Sequence, residues 1–251
     1  AAGIIIQPNM IEYTPIMRAP NGELITAYSL YPLEEAGLVK IDCLVTDGCS
    51  KITQEIKLLQ KYGVIQQAPL RQVYDDLLLP ARIDEKDPAL WDKINANEVR
   101  DLFQFNSNTG LNTIKKIKPR NITELAIANA VMRLMAPQGA ETPTDRYVRM
   151  KNDISNWYKE CENYHLTQEQ IKILEPYYLP YSAVICMQES LMEILMDKNI
   201  AGFSLSEANA ARKVVAKKRF DKINALKEQV FSATPDQNFA QYVWETAISP
   251  Q

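Results

Sequence analysis

The spacing of apolar residues changes once along this chain, near Ser50, and that change constrains the fold more than any single motif. Before it, apolar residues tend to recur at every second position. "GLVKIDCLV" alternates strictly, with Leu38, Lys40, Asp42 and Leu44 on one face and Val39, Ile41, Cys43 and Val45 on the other. The second set is expected to face a core; the first presents a lysine beside a carboxylate. "GIIIQP" and "MIEYTPIM" read as β structure too, and "PNGELITAYSL" opens with a turn signal that leads into a strand. After Ser50 the period becomes helical. "SKITQEIKLLQKYG" spaces Ile52, Ile56 and Leu59 as a helix does, between a Ser50 start and a Gly63 stop. Only 8 glycines in 251 residues also favour helix. The expected class is α+β, mostly α: a small β portion over residues 3 to 45, then a large irregular helical region.

Further helices are expected in "APLRQVYDDLLLPARI", ended by Pro80, and in "DEKDPALWDKINANEVRDLFQF", with Pro88 in its first turn and an extended piece at "DLFQF". "NTGLNTIKKIKP" closes at Pro119, and "NITELAIANAVMRLMAP" runs from a capping Asn121 or Thr123 to Pro137. "QGAETPTDRY" is a loop. Helices follow in "DRYVRMKNDISNWYKECENY", "LTQEQIKILEPYY" and "SAVICMQESLMEILMDKN".

Several function classes are disfavoured. No apolar run is long enough to span a bilayer, so no membrane partner is expected. Residue 1 is Ala, "AAGIIIQP" reads like mid-strand, and "ETAISPQ" has no closing element, which together suggest a piece of a longer protein. Cys43, Cys49, Cys161 and Cys186 lack metal-ligand spacing, and Cys161 with His165 supplies only two ligands. Free thiols suit a reducing cytoplasm. No Gly-rich phosphate loop, HExxH or GxSxG is present.

Two features invite chemistry. "GFSLSEANAARKVVAKKRFDKI" crowds Arg212, Lys213, Lys217, Lys218, Arg219 and Lys222 into one segment of a chain whose net charge is -3. On a helical wheel the cations surround the stripe of Ala208, Ala211 and Val215. That pattern fits a solvated surface with snorkelling lysines, or a helix that bends near Lys217 or meets ligand on more than one side. Asp42 fits either the solvated face of a sheet or an oxygen ligand for Mg²⁺. Gln104, Gln188 and Glu189 sit among apolar neighbours, as satisfied core groups or as exposed positions. Trp91, Trp157 and Trp244 read as core anchors, and Met187, Met192 and Met196 as core packing.

In order along the chain, these segments resemble the catalytic alpha subunit of bacterial DNA polymerase III, the C family of replicative polymerases. "AAGIII" is similar to that family's "HAAGVVI", and "LEEAGLVKIDCL" to "VEYAGLVKFDFLGL". "DLFQFNSNTGLNTIKKIKP" resembles "GVFQLES.GM..LL..LKP", "VICMQESLMEI" resembles "VYQEQVM.I", and "GFSLSEANAARKVVAKKR" resembles "GYSLGEADLLRRAMGKKK".

The resemblance implies the last part of a polymerase-beta-like palm over residues 1–47 and a fingers domain over 48–251. It implies that Asp42 is the third of three palm carboxylates holding two Mg²⁺ ions, the first two preceding the "HAAG" segment. Lys40 matches a palm lysine near the incoming nucleotide. Arg212 and Lys213 match paired arginines facing the dNTP triphosphate, and Lys217 and Lys218 the lysine pair after them. The implied partners are primer–template DNA, dNTP, and the rest of the polymerase or a complementary subunit. On this reading the chain by itself is inactive. Two alternatives stay open: one subunit of a split polymerase, or a polymerase-derived module that binds nucleic acid or protein without catalysis. Departures mark a divergent relative, as expected of a phage or mobile element. Lys213 replaces an arginine and loses its bidentate geometry. "LVTDG" replaces "FLGL" and adds Asp47, "LMAPQG" replaces "YRPG", and Asn106 stands for a glutamate.

Overall fold

The Pro20-Asn21-Gly22 turn folds as its residues dictate. Gly22 takes φ +86, the left-handed region open to glycine, and its N–H donates to the Ala19 carbonyl at 2.8 Å. The flanking strands β1 (Ile16–Arg18) and β2 (Leu24–Thr26) pair antiparallel, with Met17 opposite Ile25. The protein is described as a computed structural model over residues 3–43, 46–99, 102–136, 139–217 and 219–251. It divides into two compact units, Ala1–Leu70 and Arg71–Gln251.

In the first unit, β structure is sparser than the alternation suggests. Beyond the hairpin, the described residues pair only at an isolated antiparallel bridge between Ile4 and Ile41. A helix, α1 (Leu30–Glu35), interrupts the stretch expected to be β throughout. Pro32 lies in its first turn, where no backbone N–H is needed, and Gly37 at φ +81 stops it. The expected core face is overturned: Val39 is 72% exposed, Ile41 43%, and Cys43 is exposed too, whereas Leu38 on the opposite face is buried. Alternation buries a face only when another layer covers it, and one bridge supplies none. Leu44 and Val45 lie outside the described residues. α2 (Asp47–Lys61) starts three residues before Ser50, because the Thr46 hydroxyl accepts the Cys49 N–H at 3.4 Å. Gly63 closes it at φ +70.

A short helix, α3 (Leu70–Leu77), lies at the unit boundary. The second unit is helical and has two hydrophobic cores. The first gathers Trp91 and Ile94 from α4 (Pro88–Asn95), Ile114 and Ile117 from α5 (Asn108–Ile117), Ile127 and Val131 from α6 (Ile122–Val131), and Tyr147 from α7 (Pro143–Asn152). Asp87, Ser107, Asn121 and Thr142 cap these four helices, each accepting a first-turn N–H. The second core joins α8 (Ser155–Asn163), α9 (Gln168–Tyr178), α10 (Gln188–Met196), α11 (Leu205–Ala216), α12 (Phe220–Ala233), α13 (Gln237–Val243) and the π-helical turn Trp244–Ile248. At its centre Trp157 is fully buried, donates its indole N–H to the Tyr242 hydroxyl at 2.8 Å, and stacks on Tyr178.

The segment 183–186 joins the cores, leaving a turn in which Ser182 and Ala183 take φ +49 and +58. Its side chains divide between them: Ala183 and Ile185 enter one core, Val184 and Cys186 the other. Arg146 braces it, donating to the Ala183 carbonyl while its other arm reaches Glu160. Burial alone would lower the Arg146 pKa, but the hydrogen bond and charge of Glu160 raise it overall, so the guanidinium stays ionised.

Two other expectations change here. "DLFQF" is not extended: Leu102 to Phe105 make a turn closed by the Phe105 N–H on the Leu102 carbonyl at 3.1 Å, with Arg100 and Asp101 outside the described residues. Gly110 is essential to that turn, since a Cβ there would lie 2.6 Å from Phe105 Cα. The helix expected to run to Pro137 closes at Val131, and Pro137 itself is outside the described residues. All three tryptophans are buried, whereas Met196 is 38% exposed and not core.

Candidate nucleotide-binding site

The basic segment is built on α11. Its start is fixed by a reciprocal cap: the Ser204 hydroxyl accepts the Glu207 N–H at 3.3 Å, and the Glu207 carboxylate accepts the Ser204 N–H at 2.8 Å. The Ser204 hydroxyl, helped by its N–H, holds the Glu207 carboxyl below the usual carboxylate range. Ala208, Ala211 and Val215 are buried as the wheel predicts, so the helix presents its cations from a fixed backing. A bend near Lys217 is one of the readings the sequence leaves open; α11 ends at Ala216 and α12 begins at Phe220. Arg212 and Arg219 therefore belong to separate elements, and Arg219 pairs with Asp221 at 3.3 Å.

Among the described residues Arg212 is held by carboxamides and no acid. Its Nη1 donates to Gln188 Oε1 at 2.7 Å, and its Nε and Nη2 donate to Asn209 Oδ1 at 3.1 and 2.9 Å. Lys213 and Lys217 are exposed and make no side-chain ion pair among the described residues; Lys218 lies outside them. Gln188, the first residue of α10, is exposed, as is Glu189.

Sequence reasoning missed Arg133, on the turn after α6. Its Nη2 donates to Gln104 Oε1, and the Gln104 backbone sits at φ +69 in the left-handed region. Arg133, Gln188 and Arg212 line one cavity of ≈ 350 Å³, with Leu191, Val215 and Cys186 among its apolar walls. Burial pushes the Cys186 thiol up to about 12, so it stays protonated. The only sequence signal was the pair of glutamines set among apolar residues. Arg133 itself carried none.

In the first unit Lys40 and Asp42 do lie side by side. Lys40 Nζ is 3.0 Å from Asp42 Oδ1, and the carboxylate is largely solvated. Ile41 between them is fixed by its bridge to Ile4, with N–H to carbonyl distances of 2.7 and 2.8 Å. Gly3 lets the lysine stem cross the backbone, since a Cβ there would lie 2.2 Å from Lys40 Cγ. No group of three or more His, Cys, Asp or Glu side chains is gathered among the described residues. Asp42 belongs to no such group among the described residues, and its solvated carboxylate can supply one hard oxygen ligand.

Residues 63–238 match the family of the bacterial DNA polymerase III alpha subunit finger domain. Over its whole length the chain is 35% identical to a probable DNA polymerase of Bacillus subtilis, YorL, and to a DNA-directed DNA polymerase of Bacillus phage SPbeta, covering 20% of each. It is 28% identical, over 96% of its length, to the DNA polymerase III alpha subunit of Aquifex aeolicus, covering 19% of that protein. The chain thus spans about a fifth of the curated relatives it matches. Among the described residues no helix is long and apolar enough to cross a membrane.

Proposed function

Because the chain belongs to the family of bacterial DNA polymerase III alpha subunit finger domains, we propose that it works within a DNA-directed DNA polymerase that adds dNTPs to a primer end on a DNA template. In this reading residues 1–47 complete a palm and residues 48–251 form the fingers. Arg212, Lys213, Lys217 and Lys218 meet the triphosphate of the incoming dNTP, and Lys40 lies near that nucleotide. Asp42 is one of three carboxylates that hold Mg²⁺.

The observation that carries the reading is the setting of Arg212. Amide oxygens fix its guanidinium beside a cavity without neutralising its charge. Nucleotidyl transfer asks mainly for positioning and charge neutralisation, which such a cation supplies. Bound Mg²⁺ would polarise phosphate oxygens and clamp the attacking and leaving groups. This chain's own part is to orient the triphosphate, screen its charge and contribute the Asp42 carboxylate. The remaining carboxylates come from the rest of the polymerase or from a complementary subunit, so the chain alone does not polymerise.

Primer extension in Mg²⁺ by the complete parent polymerase, with and without Asp42→Asn, tests the reading. Loss of about 10²–10³-fold without unfolding is expected for a principal electrostatic contributor. Equal extension would return Asp42 to a solvated sheet face. No extension by either protein would favour a nucleic-acid- or protein-binding module without catalysis.

A further inference from the structure

Among the described residues, seven arginines of the second unit have a side-chain partner, and they fall into two groups. Arg71, Arg120, Arg146, Arg149 and Arg219 each pair with a carboxylate. Arg133 and Arg212 instead donate to carboxamide oxygens, of Gln104 and of Gln188 with Asn209. The two exceptions line the same cavity, and no Asp or Glu is among the described residues that line it. An amide oxygen fixes a guanidinium in place yet leaves its full positive charge. Two such charges facing one concave space repel each other until an anion enters. A phosphate oxygen, being ionised, forms stronger hydrogen bonds with a guanidinium than a carboxamide does. The glutamines therefore act as neutral holders that an anion can displace.

We propose that Arg133 and Arg212 form a two-arginine subsite for the polyphosphate of a nucleotide, with Gln104 and Gln188 holding it ready. The inference rests on the proposed function for the identity of its ligand and adds Arg133 to the residues that bind it. Arg133 is exposed and outside every hydrophobic core, so its replacement leaves the fold intact.

Calorimetric titration of the chain with inorganic tripolyphosphate and with dATP tests this, using Arg133→Gln, Arg212→Gln and Gln188→Glu. Each should weaken both ligands about tenfold or more, the last by giving Arg212 a carboxylate partner. Arg120→Gln, which removes an exposed arginine paired with Asp92, should change neither. Loss with Arg212→Gln but wild-type binding by Arg133→Gln overturns the two-arginine subsite and leaves the proposed function standing. Wild-type binding by both variants, or no tripolyphosphate binding by the unmodified chain, overturns the subsite outright. If both variants weaken tripolyphosphate while the parent's primer extension ignores Arg212→Gln, the anion subsite stands and its link to the polymerase reaction falls.

Discussion

The two units hold their charged candidates in opposite ways. In the first, Asp42 lies on an extended segment pinned by one β-bridge and a local lysine, while Ile6, Ile11 and Val39 each remain more than 70% exposed. In the second, Arg212 projects from a capped helix whose back is buried in a core centred on Trp157 and Tyr242. If Arg212 meets a triphosphate, as proposed, such rigidity helps, because its geometry is set before ligand arrives. On the proposed reading Asp42 is one member of a metal centre that other groups complete, and among the described residues its own unit holds it only by that bridge and Lys40.

Truncating the core should expose this contrast most sharply. Trp157→Ala removes a fully buried indole and its hydrogen bond to Tyr242, and should cost about 3–5 kcal/mol in urea unfolding. Alkali should act next, also on the second unit. Burial raises the Tyr178 and Tyr242 hydroxyl pKa values and pushes Tyr147 to about 12. Their stabilising contribution is complete below the unfolded value of about 10 and is lost as pH rises through the folded values. The urea midpoint should therefore be lower at pH 11 than at pH 9. Gly110→Ala places a Cβ within 2.6 Å of the Phe105 backbone, and should cost about 1–3 kcal/mol. Smallest of all, Ile6→Ala at a highly exposed site of the first unit should change stability by no more than about 0.5 kcal/mol. A loss there as large as in the core would break the comparison.

What could be read from sequence follows the same division. Local rules carried well: the Pro20-Asn21-Gly22 turn, the cap at Asn121, the glycine stop at Gly63, and the buried stripe of Ala208, Ala211 and Val215 each depend on neighbours a few residues away. The Val39 face failed because alternation reports which side chains share a face, not whether anything covers it. The end of α6 at Val131 was missed because apolar spacing continues past the point where the backbone turns. Arg133 was invisible because its significance lies in a cavity assembled from residues near 130, 190 and 212, and no local period links such distant segments. Gln104 and Gln188 stood out as polar residues in apolar surroundings, but only the fold shows that each accepts from an arginine.

The central claim is that the basic segment meets a nucleotide rather than a length of DNA. Steady-state primer extension by the complete polymerase carrying Arg212→Gln tests it most directly, with the KM for dNTP and the Kd for primer–template measured on the same protein. Loss of charge-assisted hydrogen bonds worth about 1.5–3 kcal/mol predicts a KM for dNTP raised at least about tenfold, with primer–template affinity unchanged. An unchanged KM for dNTP with weakened, more salt-sensitive primer–template binding would contradict the account and make α11 a DNA-gripping surface.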